Sequence, residues 1–208
     1  MLSNLTIEQF SGELGSDSPA PGGGSVSALA GMLGADLIGM VCSLTIGKKD
    51  FSQFDAELKE ILKKVNDLSN KLRERIDLDT EAFNDVMKAF KLPKETPEEK
   101  SIRKEAIQMG YKSAVQSPLD IGKECLDVLK LGENMLGKFN LNAASDLGVG
   151  AEMAYSGLEG AIMNIEINLL SIKDEEFVKS MEKEIAEMLS SGDCLKEKIY
   201  DHVKSAIS

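Results

Sequence analysis

Between Phe51 and Phe90 the apolar residues recur at alternating spacings of three and four: Phe51, Phe54, Leu58, Ile61, Val65, Leu68 and Leu72. Only an α-helix brings such positions onto one line, and a line of this length has to be covered by other helices. The same count continues through Arg75, Asp79, Ala82, Val86 and Ala89, so Asp79 falls on the apolar seam. At about 100° per residue it sits near the azimuth of Leu72 and Phe83, while Asp77 points well away. An ionisable group on a buried stripe is costly unless it is paired or used. Two readings follow: a structural ion pair with an arginine or lysine of a neighbouring helix, or a carboxyl group kept for chemistry.

The rest of the chain extends the helical pattern and predicts an all-α fold, a long-helix bundle formed by residues 1–208 as one domain. A short helix is expected over Leu5 to Leu14. A long apolar one follows from about Ser25 to Ile46, ended by Gly47 with Lys48 and Lys49 at its carbonyl end. Thr96-Pro-Glu-Glu99 is a capping box that starts another helix, which Pro118 is expected to interrupt or kink before it continues to about Met135. Gly137 to Ala144 reads as a turn holding Asn140 and Asn142. Ser145-Asp146 is expected to cap a helix running to Leu170, and Asp174 to Ala206 is a charged amphipathic helix. Ser27, Gly31, Ala35 and Gly39 form one stripe of small residues, and Gly150, Ala154, Gly157 and Ala161 form another. Such stripes let two helices approach closely, within the chain or across a dimer.

Ser18-Pro-Ala-Pro-Gly-Gly-Gly-Ser25 is the segment that packing alone does not explain. It delivers a bare backbone to a helix start, where unpaired N–H groups and the positive end of the helix dipole favour an anion or a polar ligand. A net charge of −11 argues against nucleic acid as the main partner. Three widely spaced cysteines (Cys42, Cys125, Cys194) make neither a zinc pattern nor a disulfide framework, and fit a reducing cytoplasm. A single histidine, His202, leaves no multi-histidine metal site or histidine-based triad. The N-terminus lacks the features of a signal peptide. Val26 to Ile46 is long enough to span a membrane, but its mid-segment Asp36 and its serine, glycine and alanine content predict a buried core helix.

Taken in order, Pro19-Ala-Pro-Gly-Gly-Gly-Ser25, Thr45-Ile-Gly-Lys-Lys49, Asp79-Thr-Glu-Ala-Phe83, Leu92-Pro-Lys-Glu-Thr-Pro-Glu-Glu-Lys100, Ser145-Asp-Leu-Gly-Val149 and Asn164-Ile-Glu-Ile-Asn-Leu169 resemble the cyclodeaminase/cyclohydrolase family of folate enzymes. The resemblance runs from about Pro19 to Leu170. It implies an all-helical homodimer acting on the one-carbon unit of tetrahydrofolate. The reaction it points to first is cyclisation of 5-formimidoyltetrahydrofolate to 5,10-methenyltetrahydrofolate with release of ammonia. Hydrolysis of the methenyl compound to 10-formyltetrahydrofolate is the alternative, and a non-catalytic helical interaction protein is an alternative of another class. Neither reaction calls for a metal or redox cofactor.

The resemblance nominates both Asp77 and Asp79 as the catalytic aspartate, and the seam selects Asp79. It also implies a folate-binding set: Pro21, Gly22, Gly23, Gly24 and Ser25 as one wall, and Lys48 and Lys49 for the glutamate tail, in its single or polyglutamate form. Asn140, Ser145, Asp146, Asn164 and Asn168 complete the set toward the pterin. Phe139 stands where relatives often have glycine. The lysine pair lies more than 20 residues along the first long helix from the glycines, roughly 30 Å. One subunit's loop and lysines therefore cannot grip the same ligand end.

Overall fold

The computed structural model describes the backbone of all 208 residues and the side chains of all but Ala82 and Phe83, so these two seam positions lie outside the described side chains. Six α-helices account for most of it: α1 (Ile7–Leu14), α2 (Gly23–Thr45), α3 (Asp55–Phe90), α4 (Pro97–Glu133), α5 (Ala144–Leu169) and α6 (Glu175–Ala206), with short 3-10 turns at Leu2–Asn4, Lys49–Phe54 and Leu141–Ala143. No strand occurs among the described residues.

The seam of α3 is buried as its spacing predicts. Leu58, Val65 and Leu72 are fully covered, and Ile61, Leu68 and Ile76 nearly so. Each such side chain contributes about 1.5–3 kcal/mol relative to exposure. Phe51 and Phe54 belong to the 3-10 turn ahead of the helix rather than to the helix itself. Beyond Leu72 the covered stripe passes through Ile76 and not Arg75, because a straight helix drifts off a strict seven-residue repeat. Arg75 turns aside to pair with Asp120 (3.0 Å) and Glu124 (3.1 Å) on α4.

Helix α2 runs through the centre, packed against α3, α4 and α5. It is the one helix among the described residues long and apolar enough to cross a membrane, and more than half of its most apolar stretch is covered by the rest of the bundle. The two small-residue stripes meet within the chain. A Cβ on Gly34 would lie 2.7 Å from the Gly150 carbonyl oxygen, and one on Gly157 would lie 2.7 Å from that of Ser27. α2 and α5 are therefore in backbone contact and antiparallel. Gly39 faces α3 instead, near Val65 and Leu62. Gly47, at φ +79°, closes α2 as a left-handed C-terminal glycine.

Three local expectations are corrected. α2 begins two residues earlier than Ser25, with Gly22 as its N-cap, so Gly23 and Gly24 form the first helical turn rather than a loop. α4 continues without interruption from Pro97 to Glu133, and Pro118 lies buried inside it. Neither Ser145 nor Asp146 caps α5: Ala143 is the N-cap without a side-chain bond, and Asp146 sits in the first turn, where an acid suits the helix dipole. The Thr96 capping box forms as expected, with Thr96 Oγ1 accepting from the Glu99 N–H at 3.1 Å. A second box, Thr6 with Gln9, starts α1.

Candidate active site

Asp77 and Asp79, two residues apart on α3, have different surroundings. Asp77 accepts hydrogen bonds from the Leu2 backbone N–H and, at 2.6 Å, from the Ser3 hydroxyl, so it fastens the N-terminal 3-10 turn. Asp79 points the other way, into the start of α2. The Ser25 backbone N–H donates to its carboxylate. A Cβ on Gly24 would lie inside the van der Waals envelope of that carboxylate, and one on Gly23 would come 3.1 Å from Asn164 Nδ2. The helix start does receive an anion, and the anion is the protein's own.

No arginine or lysine pairs with Asp79 among the described residues; Arg75, one turn earlier, is taken by Asp120 and Glu124. The structural ion pair is therefore not what Asp79 makes. Burial pushes its carboxyl above the ordinary value of 3.8, and the Ser25 N–H pulls it back only in part. Ser25 itself is fully buried, and its hydroxyl donates to the Ile76 carbonyl at 2.8 Å. That hydroxyl locks α2 onto α3 rather than facing a ligand.

Asp79 opens onto a cavity of about 180 Å³ whose wall also includes Val86, Met87, Phe90, Tyr111, Asn164 and Asn168. The two asparagine amides donate backwards along α5, Asn164 to the Gly160 carbonyl (2.7 Å) and Asn168 to the Asn164 carbonyl (2.8 Å). Their Oδ1 atoms accept no hydrogen bond among the described residues and remain as acceptors at the cavity. Phe90 and Tyr111 meet edge to face with centroids 6.2 Å apart. Sequence reasoning missed this aromatic pair, because it comes from two helices with no motif linking them. The cavity thus combines a carboxyl held toward its protonated form, amide acceptors and an aromatic wall.

The remaining nominated residues lie elsewhere. Pro21 is buried, behind a cis Ala20–Pro21 peptide, and Gly22 faces open space. Lys48 and Lys49 are exposed beyond the far end of α2, whose 23 residues span about 35 Å. Asn140 is at that end too: its N–H donates to Thr45 Oγ1 at 2.9 Å and its Oδ1 accepts from the Asn142 N–H, a capping role. Ser145 and Asp146 open α5 beside it. Phe139 is buried against His202, with ring centroids 5.9 Å apart. A larger cavity, about 710 Å³, lies between α1 and the outer face of α2; its wall is mostly apolar, and Asp36 and Arg73 are its only ionisable residues. Among the described residues no group of three or more His, Cys, Asp or Glu side chains is placed to hold a metal ion.

Comparison with known proteins matches the chain and its fold from three sides. The family model described as formiminotransferase-cyclodeaminase matches residues 6–187. The methenyltetrahydrofolate cyclohydrolase of Methylorubrum extorquens is 42% identical over 208 residues, covering all of both chains. The formimidoyltransferase-cyclodeaminase of Sus scrofa is 35% identical over 191 residues, which is 92% of this chain but only 35% of that longer protein. The crystal structure of formiminotetrahydrofolate cyclodeaminase from Thermotoga maritima superposes over the whole of both chains with a TM-score of 0.89 at 26% identity. A helix start that receives a half-buried aspartate is thus set in a chain matched end to end by the Methylorubrum and Thermotoga enzymes and over part of the longer Sus scrofa one, and the chain belongs to the formiminotransferase-cyclodeaminase family.

Proposed function

We propose that the Asp79 cavity is the active site of a folate one-carbon enzyme, with Asp79 as the acid–base group. The observation that carries this is the placement of Asp79: half-buried, without a cation partner, and aimed into a cavity that Asn164 and Asn168 line. Both reactions named for the relatives pass through a tetrahedral centre at the carbon between N5 and N10, so one carboxyl group serves either.

In methenyl hydrolysis, water adds to the methenyl carbon while the Asp79 carboxylate takes its proton. The carboxyl then returns a proton to N5 as the C–N5 bond breaks, and the hydroxyl proton leaves to solvent as the formyl carbonyl forms on N10. In ammonia release, N10 attacks the carbon of the protonated formimidoyl group, and the Asp79 carboxylate takes the N10 proton and passes it to the resulting NH2, which departs as ammonia. The carboxylate left behind faces the methenyl cation and stabilises it. The Asn164 and Asn168 Oδ1 acceptors suit the N3–H and 2-amino donors of a pterin edge. Both reactions move protons alone, and we assign the site no metal or redox cofactor.

The end-to-end relative at 42% identity supports hydrolysis, while the whole-chain structural match supports ammonia release. Purified protein is to be assayed for loss of methenyl absorbance and for ammonia from 5-formimidoyltetrahydrofolate. Turnover of either, abolished by Asp79→Asn, is the expected result; turnover of neither, or full activity in Asp79→Asn, overturns the reading.

The functional unit we propose is a homodimer in the cytoplasm. α2 leaves Leu33, Met40 and Leu44 exposed, and α5 leaves Val149, Met163 and Ile167 exposed. Apolar side chains along two adjoining helices are what a second copy would cover. The three free thiols suit a reducing compartment.

A further inference from the structure

The cavity at Asp79 accounts for the reacting end of a folate but, so far, for nothing that recognises its anionic end. The lysines expected for that role, Lys48 and Lys49, stand beyond the opposite end of α2. The motif Leu92 to Lys100 also has no assigned function, although it joins α3 to α4 directly beside the cavity. Arg103 projects from the second turn of α4 onto this wall. Its Cζ lies 5.6 Å from the Phe90 ring centroid, and its Nε and Nη2 donate to the Phe90 carbonyl at 3.3 and 3.2 Å. Phe90 is both the last residue of α3 and part of the cavity wall.

Those two bonds cover a helix-end carbonyl but leave the rest of the guanidinium fork unused. Among the described residues Arg103 has no carboxylate partner, whereas Arg75 is paired with Asp120 and Glu124, Lys88 with Asp85, and Lys112 with Asp174. Glu99, one turn before Arg103, is held by the Thr96 and Glu95 N–H groups at 3.0 and 2.8 Å. Asp79 and Phe90 are eleven residues apart on α3, about 16 Å of helix rise. A p-aminobenzoylglutamyl arm has comparable reach, with an aromatic ring midway and carboxylates at its end.

We propose that Arg103 binds a carboxylate of the substrate's glutamate tail, and that Phe90 and Tyr111 line the path of the aromatic ring between tail and pterin. This rests on the folate reading of the site. A planar fork held over an aromatic ring and fixed by two hydrogen bonds to its carbonyl is preorganised for a carboxylate, and its hydrogen bonds to one are charge-assisted. The α3–α4 connection then has a function: its capping box sets the start of α4, which fixes Arg103 over Phe90.

The test is steady-state kinetics of wild type, Arg103→Gln and Arg103→Lys on 5,10-methenyltetrahydrofolate and on 5,10-methenyltetrahydropteroate, which lacks the glutamate. Arg103→Gln should raise KM for the glutamate-bearing substrate roughly 10-fold, with kcat little changed. Its KM for the pteroate should stay at the wild-type value, and Arg103→Lys should recover part of the loss. Equal losses on both substrates would reduce Arg103 to a helix-end cap and overturn the proposal, as would no loss on either. A wild type active on both substrates without preference for glutamate removes the tail assignment alone. A wild type active on neither, and releasing no ammonia from 5-formimidoyltetrahydrofolate, removes the folate reading and the tail assignment with it.

Discussion

Gly24→Ala is the sharpest perturbation this site offers. The added Cβ would overlap both oxygens and the Cγ of Asp79, so either the carboxylate or the first turn of α2 has to move. Overpacking of this kind costs about 1–3 kcal/mol, and in a domain of this size that lowers the melting midpoint by roughly 3–9 °C. Displacing the carboxyl by an ångström should cost on the order of 100-fold in kcat. The collision can be isolated with a double-mutant cycle. In an Asp79→Ala background Gly24→Ala meets no carboxylate, and alanine's helix preference of about 1 kcal/mol over glycine leaves it neutral or stabilising. Thermal melts of the four proteins should therefore show a coupling of at least about 1 kcal/mol. Gly22→Ala is the control: nothing lies within 4 Å of its added Cβ, so its cost should stay below about 1 kcal/mol. Equal destabilisation by Gly24→Ala in both backgrounds would refute the assignment of that glycine to Asp79.

Three further outcomes follow. Because burial raises the Asp79 carboxyl, the folded state holds its proton to higher pH than the unfolded state; its stability contribution is full below the unfolded value of 3.8 and is lost as pH rises through the folded value. Asp79→Asn should accordingly melt higher than wild type at pH 7, with the difference closing toward pH 3.8, while kcat drops at least about 100-fold. Asp77→Ala removes the acceptor for Leu2 and Ser3 and should cost about 1–3 kcal/mol by denaturant melt, with a far smaller effect on kcat than Asp79→Asn. Leu33→Glu with Met163→Glu places charge on the exposed apolar faces of α2 and α5, and sedimentation should show a dimer turned to monomer; an unchanged mass would refute that interface.

The helical architecture was legible because a three–four seam and the Thr96 capping box are local signals. Asp79 was legible for the same reason: an acidic residue in phase with an apolar stripe. Pro118 misled because a buried proline can sit within a helix when its packing outweighs the lost hydrogen bond, here among Val115, Leu119 and Ile121. Asn140, Ser145 and Asp146 were grouped with Asn164 and Asn168 by motif order, yet they belong to opposite ends of α5. Sequence order says nothing about which end of an antiparallel pair faces the chemistry. Phe90, Tyr111 and Arg103 were invisible as a group because an aromatic wall is made by the meeting of α3 and α4.

The uncompensated carboxylate of Asp79 also bears on how such a site would let go of its product. A 5,10-methenyl substrate is a cation, and a half-buried anion without a cationic partner attracts it more strongly than one in open water. Hydrolysis leaves a neutral 10-formyl group, so the attraction disappears in the same step that makes product. The reaction would then weaken its own complex, and departure would need no hinge or lid to drive it. An enzyme with an arginine already paired to that aspartate would hold substrate and product alike.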